Sequence, residues 1–254
     1  MARTILTYHA VASGPELGAT TVSPSRFRKH IAALASSGMA IERLDAVEPG
    51  DDDRTVVVTF DDGYESVLDV AFPDIARRNG RATVFVPTGH IGHPASWDVG
   101  AVRKHRHMDW LALRQLVDAG WEIGSHGVSH RALTDMPDDE AFCELVESRD
   151  EIEQRLGVKV TSFSYPFGAV TPRLARLAQE AGYRRAVTMR PGSIPSPAYQ
   201  LRLPRWPVYR FDRAENLLAR IAGPEWIRGL ESAKVQVIQS FARGTRVRMR
   251  GNCR

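Results

Sequence analysis

The sequence predicts a single-domain α/β fold, a distorted, TIM-like (β/α) barrel of roughly seven parallel strands. The first observation is a repeated pattern in which a helical segment reaches a glycine and a short β-rich run follows, as in "DIARRNGRATVFV" and "LRQLVDAGWEIGS". The second is that the runs "TVVVTF" and "ATVFV" are apolar throughout, which is typical of parallel strands covered on both faces. The third is the length of 254 residues, which suits one such barrel.

The ends of the predicted helices carry recognisable residues. Ser23 and Thr171 each precede a proline, which is typical of an N-cap followed by a first-turn proline. Five helices are predicted to end at a glycine in the left-handed conformation: Gly38, Gly80, Gly120, Gly157 and Gly182. Because a strand follows each glycine, the pattern predicts crossover helices between parallel strands.

The composition is that of an ordinary globular protein, with 43% hydrophobic and 25% charged residues. No run approaches the ~20 apolar residues of a transmembrane helix, and no apolar leader follows Met1. We therefore expect a cytoplasmic protein, although a trimmed exported protein would look the same. Cys143 and Cys253 indicate neither a disulfide framework nor a cysteine metal site.

The domain is predicted to span residues 1–240, followed by a basic tail at residues 241–254. The net charge of +4 is mild, and we expect no nucleic-acid partner. The tail has no acid and five arginines: Arg243, Arg246, Arg248, Arg250 and Arg254. We interpret it as a solvated, partly disordered end, and the alternative is a weak contact with an anionic surface.

Two adjacent carboxylates, Asp61 and Asp62, follow the apolar run "TVVVTF" directly. The carboxyl ends of strands carry the chemistry in barrels of this kind. An acidic turn would explain the pair, since Asp and Gly are favoured in turns. However, neighbouring carboxylates at the end of a buried strand are costly unless a cation balances them.

Two histidines, His126 and His130, follow the run "WEIGS" within "SHGVSH". The four-residue spacing brings two imidazoles close enough to chelate a metal, although such a spacing also arises by chance on surfaces. With Asp62 they would form three protein ligands and leave positions open for water and substrate, as in a catalytic site. This N/O ligand set suits Zn²⁺ best among divalent metals, with Co²⁺, Ni²⁺ and Mn²⁺ as alternatives.

A third strand-like run ends in "SYPFG". Tyr165, Pro166 and Phe167 form a rigid turn with aromatic walls, whose backbone N–H groups are candidates to point toward the same rim. An ordinary strand-ending turn would have the same composition.

These three stretches together resemble the polysaccharide deacetylases of carbohydrate esterase family 4, the NodB-homology domain. "TFDDGY" resembles the family's first motif, "SHGVSH" its second, and "SYPFG" its third in part. The resemblance implies a distorted (β/α) barrel and metal-dependent removal of acetyl groups from N-acetylated sugars. It also implies that Asp61 is the catalytic base and that Asp62, His126 and His130 hold the metal.

Two departures from the family pattern concern catalytic side chains. Ser164 stands where the third motif normally has an arginine, and Arg205 in "LPRWPV" is a candidate substitute. The family's late Leu-x-His, whose histidine protonates the leaving amine, is missing, because none of the eight histidines follows His130.

His9 is the candidate acid in place of that late histidine. The run "ILTYHA" is similar to the N-terminal Tyr-His pair of permuted exopolysaccharide deacetylases, and His9 follows a predicted strand directly. The other candidates are the loop pair His90 and His93, which are interpreted as surface residues, and the histidines of "KHRH", interpreted as a solvated charge run.

The expected reaction is deacetylation of an N-acetylated glycan or amino sugar. Asp61 would take the proton of the attacking water, and His9 would protonate the departing amine. A backbone N–H near Tyr165–Phe167 would help to stabilise the oxyanion. Three tryptophans are candidates to shape the acetyl pocket or stack on sugar rings, or are simply core residues: Trp97, Trp110 and Trp206.

Two other functions remain open from the sequence. One is a catalytically silent glycan-binding protein, which the full Asp-Asp and His-His set disfavours. The other is a hydrolase of a different non-peptide C–N bond on the same scaffold, such as an amide or formamide, with which the missing third-motif arginine is compatible.

Overall fold

The computed structural model describes residues 4–14, 18–46, 54–96, 105–193 and 197–249. Within them, eight short strands form one entirely parallel sheet. The strands are β1 (Thr4–Tyr8), β2 (Ala40–Glu42), β3 (Thr55–Phe60), β4 (Thr83–Val86), β5 (Glu122–Ser125), β6 (Ser162–Ser164), β7 (Arg185–Val187) and β8 (Trp206–Pro207).

Strand β3 lies at the centre of this sheet. β1 pairs along one edge of it, from Thr4 opposite Val56 to Tyr8 opposite Phe60. The other edge is shared, because β2 pairs with its beginning and β4 with its end. The full order of strands along the sheet is β7-β6-β5-β4-β3-β1-β8.

The sheet curves until its two outer strands meet. A parallel bridge joins Val187, in β7, to Leu203, just before β8. Seven strands thus follow one path around the barrel, and β2 is an addition beside it. The predicted distorted (β/α) barrel with parallel strands is confirmed.

Seven α-helices lie in the described segments, mostly as crossovers between strands. They are α1 (Pro24–Ser36), α2 (Phe72–Ala76), α3 (Trp110–Asp118), α4 (Asp138–Leu156), α5 (Pro172–Glu180), α6 (Ala214–Ala222) and α7 (Glu225–Met249). α2 continues a π-helical turn over Val67–Ala71. Both predicted N-caps are present, because Ser23 accepts from the Arg26 N–H and Thr171 from the Leu174 N–H.

Four of the five predicted glycine helix ends have the expected left-handed backbone: Gly38, Gly120, Gly157 and Gly182. The fifth prediction is wrong by one residue, since Asn79 takes the left-handed conformation with φ 55°. Gly80 has a different role, because a Cβ there would lie 2.9 Å from Cγ2 of Ile75. The glycine therefore allows helix and sheet to approach closely.

Helix α7 runs through residue 240, where the sequence predicts the end of the domain. The backbone of the predicted tail is thus helical up to Met249, and residues 250–254 lie outside the described residues. The division of the chain at residue 240 stays a prediction. Within the described residues, no helix combines the length and apolar character needed to cross a membrane.

A buried carboxyl group lies at the amino-terminal end of the strands, opposite the end that carries the motifs. Glu122, at the start of β5, accepts hydrogen bonds from the Thr83 hydroxyl at 2.6 Å and the Asp45 N–H at 3.1 Å. Burial, reinforced by the charge of Asp45, raises the pKa of Glu122 from its ordinary 4.5 to about 7. Folding therefore favours the protonated carboxyl group.

We predict that Glu122 makes the protein less stable as the pH rises. Because the folded state holds a proton that the unfolded state releases, the free energy of unfolding should fall between about pH 4.5 and pH 7. The neutral isostere Glu122→Gln should lack this loss and exceed the wild type at pH 8 by on the order of 2 kcal/mol. Denaturant unfolding of both proteins at pH 4.5, 6 and 8 measures the difference.

The matched control is Glu147→Gln, at an exposed position of α4. It should follow the pH dependence of the wild type. A constant difference between Glu122→Gln and wild type at all three pH values would show that the pKa of Glu122 is not raised.

Candidate active site

The carboxyl ends of β1, β3 and β5 bring the sequence motifs to one rim of the barrel. His9 follows β1 and Asp61 follows β3, and the register places these residues side by side, because Tyr8 pairs with Phe60. The Asp61 N–H donates to the Tyr8 carbonyl at 3.0 Å, which extends the pairing by one step. His126 follows β5 directly.

Asp62, His126 and His130 form a buried cluster whose donor atoms all lie within 4.8 Å of one another. Asp62 Oδ1 lies 3.3 Å from His130 Nε2 and 3.6 Å from His126 Nε2. Ligand bonds of about 2.0–2.2 Å in a tetrahedral site place neighbouring donor atoms about 3.4 Å apart. Both distances from Asp62 Oδ1 therefore fit donor atoms that share one tetrahedral metal, and three ligands would leave one position open.

Hydrogen bonding also fits a metal at this cluster. Among the described residues, the buried Asp62 Oδ1 faces only the two imidazoles and has no other hydrogen-bond donor. His126 Nδ1–H donates to the Ser164 carbonyl at 2.6 Å, which leaves the lone pair of Nε2 directed toward Asp62. Burial lowers the pKa of His126 to about 4, so that the ring is neutral near pH 7, as a metal ligand must be.

The backbone of the site is held in conformations that non-glycine residues rarely adopt. Asp62, His130 and Phe167 have φ of 70°, 57° and 59°. Gly63 continues the left-handed turn with φ 63°, and a Cβ there would lie 2.7 Å from Cγ1 of Val86. Strain of this kind persists only where the surrounding structure imposes it, and it clusters at functional sites.

Asp61 is paired with Arg205 in a fully buried, bidentate ion pair. The guanidinium donates to Asp61 Oδ1 at 2.8 Å and to Oδ2 at 2.7 Å. Its remaining N–H groups reach the Thr59 hydroxyl, the Ser164 hydroxyl and the Thr188 carbonyl at 2.9–3.1 Å. Arg205 thus contacts the expected base, and its role as the substitute for the family's arginine stays a prediction.

The two carboxylates stay ionised despite their burial. Burial raises the pKa of Asp61, but Arg205 and His126 outweigh it, and the pKa lies below its ordinary value. Burial acts on Asp62 in the same direction, and His130 then lowers its pKa well below the usual range. Both side chains are therefore available as acceptors at neutral pH.

His9 lies at the same rim, half-buried. Its charge is among the influences that lower the pKa of both Asp61 and Asp62, which places the ring near both carboxylates. Its Nδ1 atom is buried and has no hydrogen-bond partner in the described residues. The ring is thus close to the expected base and not engaged in a structural bond through Nδ1.

Tyr8, the last residue of β1, packs into the hydrophobic core. Its ring is fully buried against Phe27 and Phe60, and its hydroxyl bonds to His30 Nδ1 at 3.2 Å. Burial raises the pKa of Tyr8 far above its ordinary value, so the hydroxyl stays protonated. Tyr8 therefore supports the strand end and has no titrating role.

The turn after β6 has fewer backbone N–H groups that could donate to an oxyanion than the sequence suggested. The Tyr165 N–H donates to the Val187 carbonyl at 3.2 Å, and its hydroxyl to the Leu201 carbonyl at 3.1 Å. Pro166 has no N–H. The prediction of a backbone donor therefore concerns Phe167 alone, whose half-exposed ring lies 5.0 Å from the ring of His130.

The tryptophans divide into three cases. Trp97 lies outside the described residues. Trp206 is buried in β8 as part of the hydrophobic core. Trp110 begins α3 and packs partly against the core, with the Arg155 guanidinium 5.9 Å from its ring, and a role in the acetyl pocket stays a prediction.

The interpretation of "KHRH" as a solvated charge run is wrong for its second histidine. His107 is fully buried, and its Nδ1–H donates to the Asp62 carbonyl at 2.7 Å. It therefore supports the backbone of a metal-ligand candidate. No local pattern reveals this contact, because it depends on the pairing of Tyr64 with His107, which are separated in sequence by α2 and β4.

Three further residues support the site through Arg205: Thr59 and Ser164, which begin two of the motifs, and Thr188, which follows β7. Each bonds Arg205, and the Ser164 carbonyl also orients His126. Small polar residues at strand ends are too common to signal such a role.

Comparison with known proteins agrees with this geometry. The family model for polysaccharide deacetylases matches residues 48–186, more than half of the chain. The YxkH protein of Bacillus subtilis strain 168 is 26% identical over 195 residues, 74% of this chain and 65% of that protein. A poly-beta-1,6-N-acetyl-D-glucosamine N-deacetylase of Staphylococcus epidermidis is 22% identical over 161 residues, 60% of this chain and 54% of that protein. The chain thus spans less than two thirds of the length of either relative.

Solved structures share the fold. The Streptococcus pyogenes deacetylase PplD, in complex with acetate, has a TM-score of 0.73 and 21% identity, covering 87% of this chain and 98% of that chain. IcaB from Ammonifex degensii has a TM-score of 0.73 and 20% identity, covering 87% and 97%. By the match of its family model, this chain belongs to the polysaccharide deacetylase family.

Proposed function

We propose that this protein is a metal-dependent hydrolase that removes N-acetyl groups from an N-acetylated sugar or polysaccharide and releases acetate and a free amine. The observation that carries the proposal is the arrangement of two ionised carboxylates with different partners. Asp62 faces two imidazoles, whereas Asp61 is paired with Arg205. One carboxylate is thus suited to hold a metal and the other to accept a proton.

Asp62, His126 and His130 would hold the metal, for which Zn²⁺ is proposed on the N/O ligand set, with Co²⁺, Ni²⁺ and Mn²⁺ as alternatives. A divalent cation there supplies Lewis-acid charge and makes water more acidic. The Ser164 carbonyl keeps His126 in the required tautomer, and His107 holds the Asp62 backbone.

Asp61 accepts the proton of the attacking water. Its two hydrogen bonds from Arg205 fix its orientation and keep it ionised, which limits its basicity but ensures that the acceptor form is present. Phe167, whose ring lies beside His130, would donate its backbone N–H to the developing oxyanion.

His9 protonates the departing amine. An amine leaves as an anion only with great difficulty, so a positioned acid is needed. His9 lies on the strand beside Asp61, and the chain has no histidine beyond His130 to serve instead.

The two alternative functions have less support. Hydrolysis of another C–N bond was compatible with a missing arginine, but Arg205 makes the contact to Asp61 from a different part of the chain. A silent glycan-binding protein would have no need of a strained turn that directs Asp62 toward two histidines. The cytoplasmic location and the contact of the tail with an anionic surface stay predictions.

The variant Asp61→Asn tests the base. It should lower kcat for deacetylation by ~10²–10⁴-fold, because the amide cannot take a proton. Its metal content by elemental analysis should equal that of the wild type, since Asp61 is not a ligand. The exposed Asp69→Asn is the matched control and should keep full activity. Loss of the metal in Asp61→Asn would reverse the assignment of the two aspartates.

The variant His126→Ala tests the metal site without relying on turnover. Bound zinc should fall from about one per chain to near zero, because three ligands become two. Elemental analysis after dialysis against trace zinc measures the content. His93→Ala, at an exposed loop histidine, should retain the metal. Full zinc content in His126→Ala would place the metal elsewhere.

The variant His9→Ala tests the acid through the leaving group. On an N-acetylated sugar, kcat should fall by ~10²–10⁴-fold with little change in KM. On 4-nitrophenyl acetate the loss should be much smaller, because 4-nitrophenolate departs without a proton. Acetate release from both substrates provides the comparison, with His93→Ala as control. Equal losses on the two substrates would indicate that His9 acts only by positioning the strand.

A further inference from the structure

One loop carries two of the three metal-ligand candidates. This ligand loop, residues 126–130, begins where β5 ends and lies outside any helix or strand. Two of its residues have a left-handed backbone, Gly127 with φ 79° and His130 with φ 57°. Because His130 has a Cβ, it adopts this conformation only where its surroundings impose it. The contacts that hold the loop therefore determine where the His130 imidazole lies.

A single carboxylate oxygen from α4 binds two N–H groups in the middle of this loop. Glu144 Oε2 accepts from the Val128 N–H at 2.7 Å and from the Ser129 N–H at 3.0 Å. Hydrogen bonds to a carboxylate are roughly twice as strong as those between neutral groups. The half-buried Glu144 side chain thus holds the two residues that immediately precede His130.

Helix α4 is itself fixed to the end of β5, one turn beyond Glu144. The hydroxyl groups of Ser148 and Ser125 are 2.7 Å apart, and Ser125 is the last residue of β5. The Ser125 hydroxyl also accepts from the Gly127 N–H at 3.1 Å. Since residues four apart share one face of a helix, Glu144 and Ser148 belong to the same face of α4. That face therefore binds the strand end and the loop together.

The carbonyl groups of the ligand loop are bound by a different element, the turn Thr88–His90 that follows β4. Two of these hydrogen bonds come from backbone N–H groups and measure 3.0 Å each, and the third comes from a histidine ring at 3.3 Å. The pairs are Thr88 N–H to the Gly127 carbonyl, Gly89 N–H to the Val128 carbonyl, and His90 Nε2–H to the Ser129 carbonyl. The turn after β4 thus holds the carbonyl groups of the loop, and Glu144 holds its N–H groups.

We infer that Glu144 is a positioning residue for the metal site, which holds the ligand loop in its metal-binding conformation before a metal binds. The inference rests on the metal site of the proposed function, and Glu144 is not among the three residues that supply its donor atoms. A loop that is already in place loses less conformational freedom when its ligands bind a metal. Metal affinity is therefore higher than it would be for the same ligands on an unanchored loop.

The negative charge of Glu144 alone would be a different way to favour a bound cation. Two conservative substitutions separate charge from position. Glu144→Gln removes the charge but keeps one side-chain oxygen at the same distance from the helix, and both hydrogen bonds end on one oxygen. Glu144→Asp keeps the charge but withdraws the oxygens by one methylene group. Positioning is retained better by Gln, and a charge effect is retained better by Asp.

The dissociation constant for Zn²⁺, measured by competition with a chromophoric chelator, tests the inference without substrate. Glu144→Ala should raise the Kd about 10–100-fold, the range typical when a partner behind the metal ligands is removed. Glu144→Asp should also raise it, and Glu144→Gln should raise it less than either. The control is Glu140→Gln, one turn earlier on α4, where the carboxylate pairs with Arg131 at 2.5 Å. It should bind Zn²⁺ as tightly as the wild type.

The absorption spectrum of bound Co²⁺ adds a readout that a loss of general stability would not change. Its visible bands report the arrangement of ligands around the metal. At saturating Co²⁺, the bands of Glu144→Ala and Glu144→Asp should differ from those of the wild type, whereas Glu144→Gln should restore the wild-type spectrum. Circular dichroism of the metal-free proteins checks that each variant is folded.

The possible results bear differently on the inference and on the proposed function. An unchanged Kd in all Glu144 variants, or a greater loss in Glu144→Gln than in Glu144→Asp, would overturn the positioning role and leave the proposed function intact. Equal Kd values for the wild type and His126→Ala would overturn the metal site, and this inference with it. Absence of acetate release from N-acetylated sugars, with the expected order of Kd values, would overturn the deacetylase function alone and support the positioning role.

Discussion

The buried ion pair between Arg205 and Asp61 is the interaction on which the rest of the site depends. Withdrawing both charges from water is costly, and the cost is offset only if each polar atom finds a partner. Arg205 meets this condition with hydrogen bonds to residues at the ends of β3, β6 and β7. The same side chain therefore pairs with the expected base and connects the ends of β3, β6 and β7.

This pair connects closure of the barrel to the geometry of the metal cluster. The segment that carries Arg205 also pairs with β7 through Leu203 and then enters β8, which lies against β1. Ser164 accepts from Arg205 with its hydroxyl and from His126 with its carbonyl. A shift of Ser164 would therefore disturb both Arg205 and His126. The orientation of Asp61, which Arg205 holds, is thus coupled to that of His126.

The parts of the site that sequence could predict are those set by local chain geometry. Asp61, Asp62 and His126 each follow an apolar strand within a few residues, and parallel strands bring such ends to one rim. The position of His107 could not be predicted, because it depends on a pairing with Tyr64, from which it is separated in sequence by α2 and β4. The hydrogen bond from the Tyr165 N–H to the Val187 carbonyl likewise depends on a neighbouring strand, β7. In both cases the prediction and the structure differ because of tertiary contacts, which leave no periodic pattern in the sequence.

The charge balance of the rim explains why two adjacent aspartates are useful there. The left-handed backbone at Asp62 turns its side chain toward the histidines while Asp61 faces Arg205. Since Arg205 neutralises Asp61 and His126 is uncharged near pH 7, Asp62 is the one carboxylate that the ligand cluster contributes. A divalent cation held there would be neutralised only in part by this carboxylate. Its remaining positive charge would be available to an oxyanion at the open side of the cluster, and a second carboxylate ligand would cancel it.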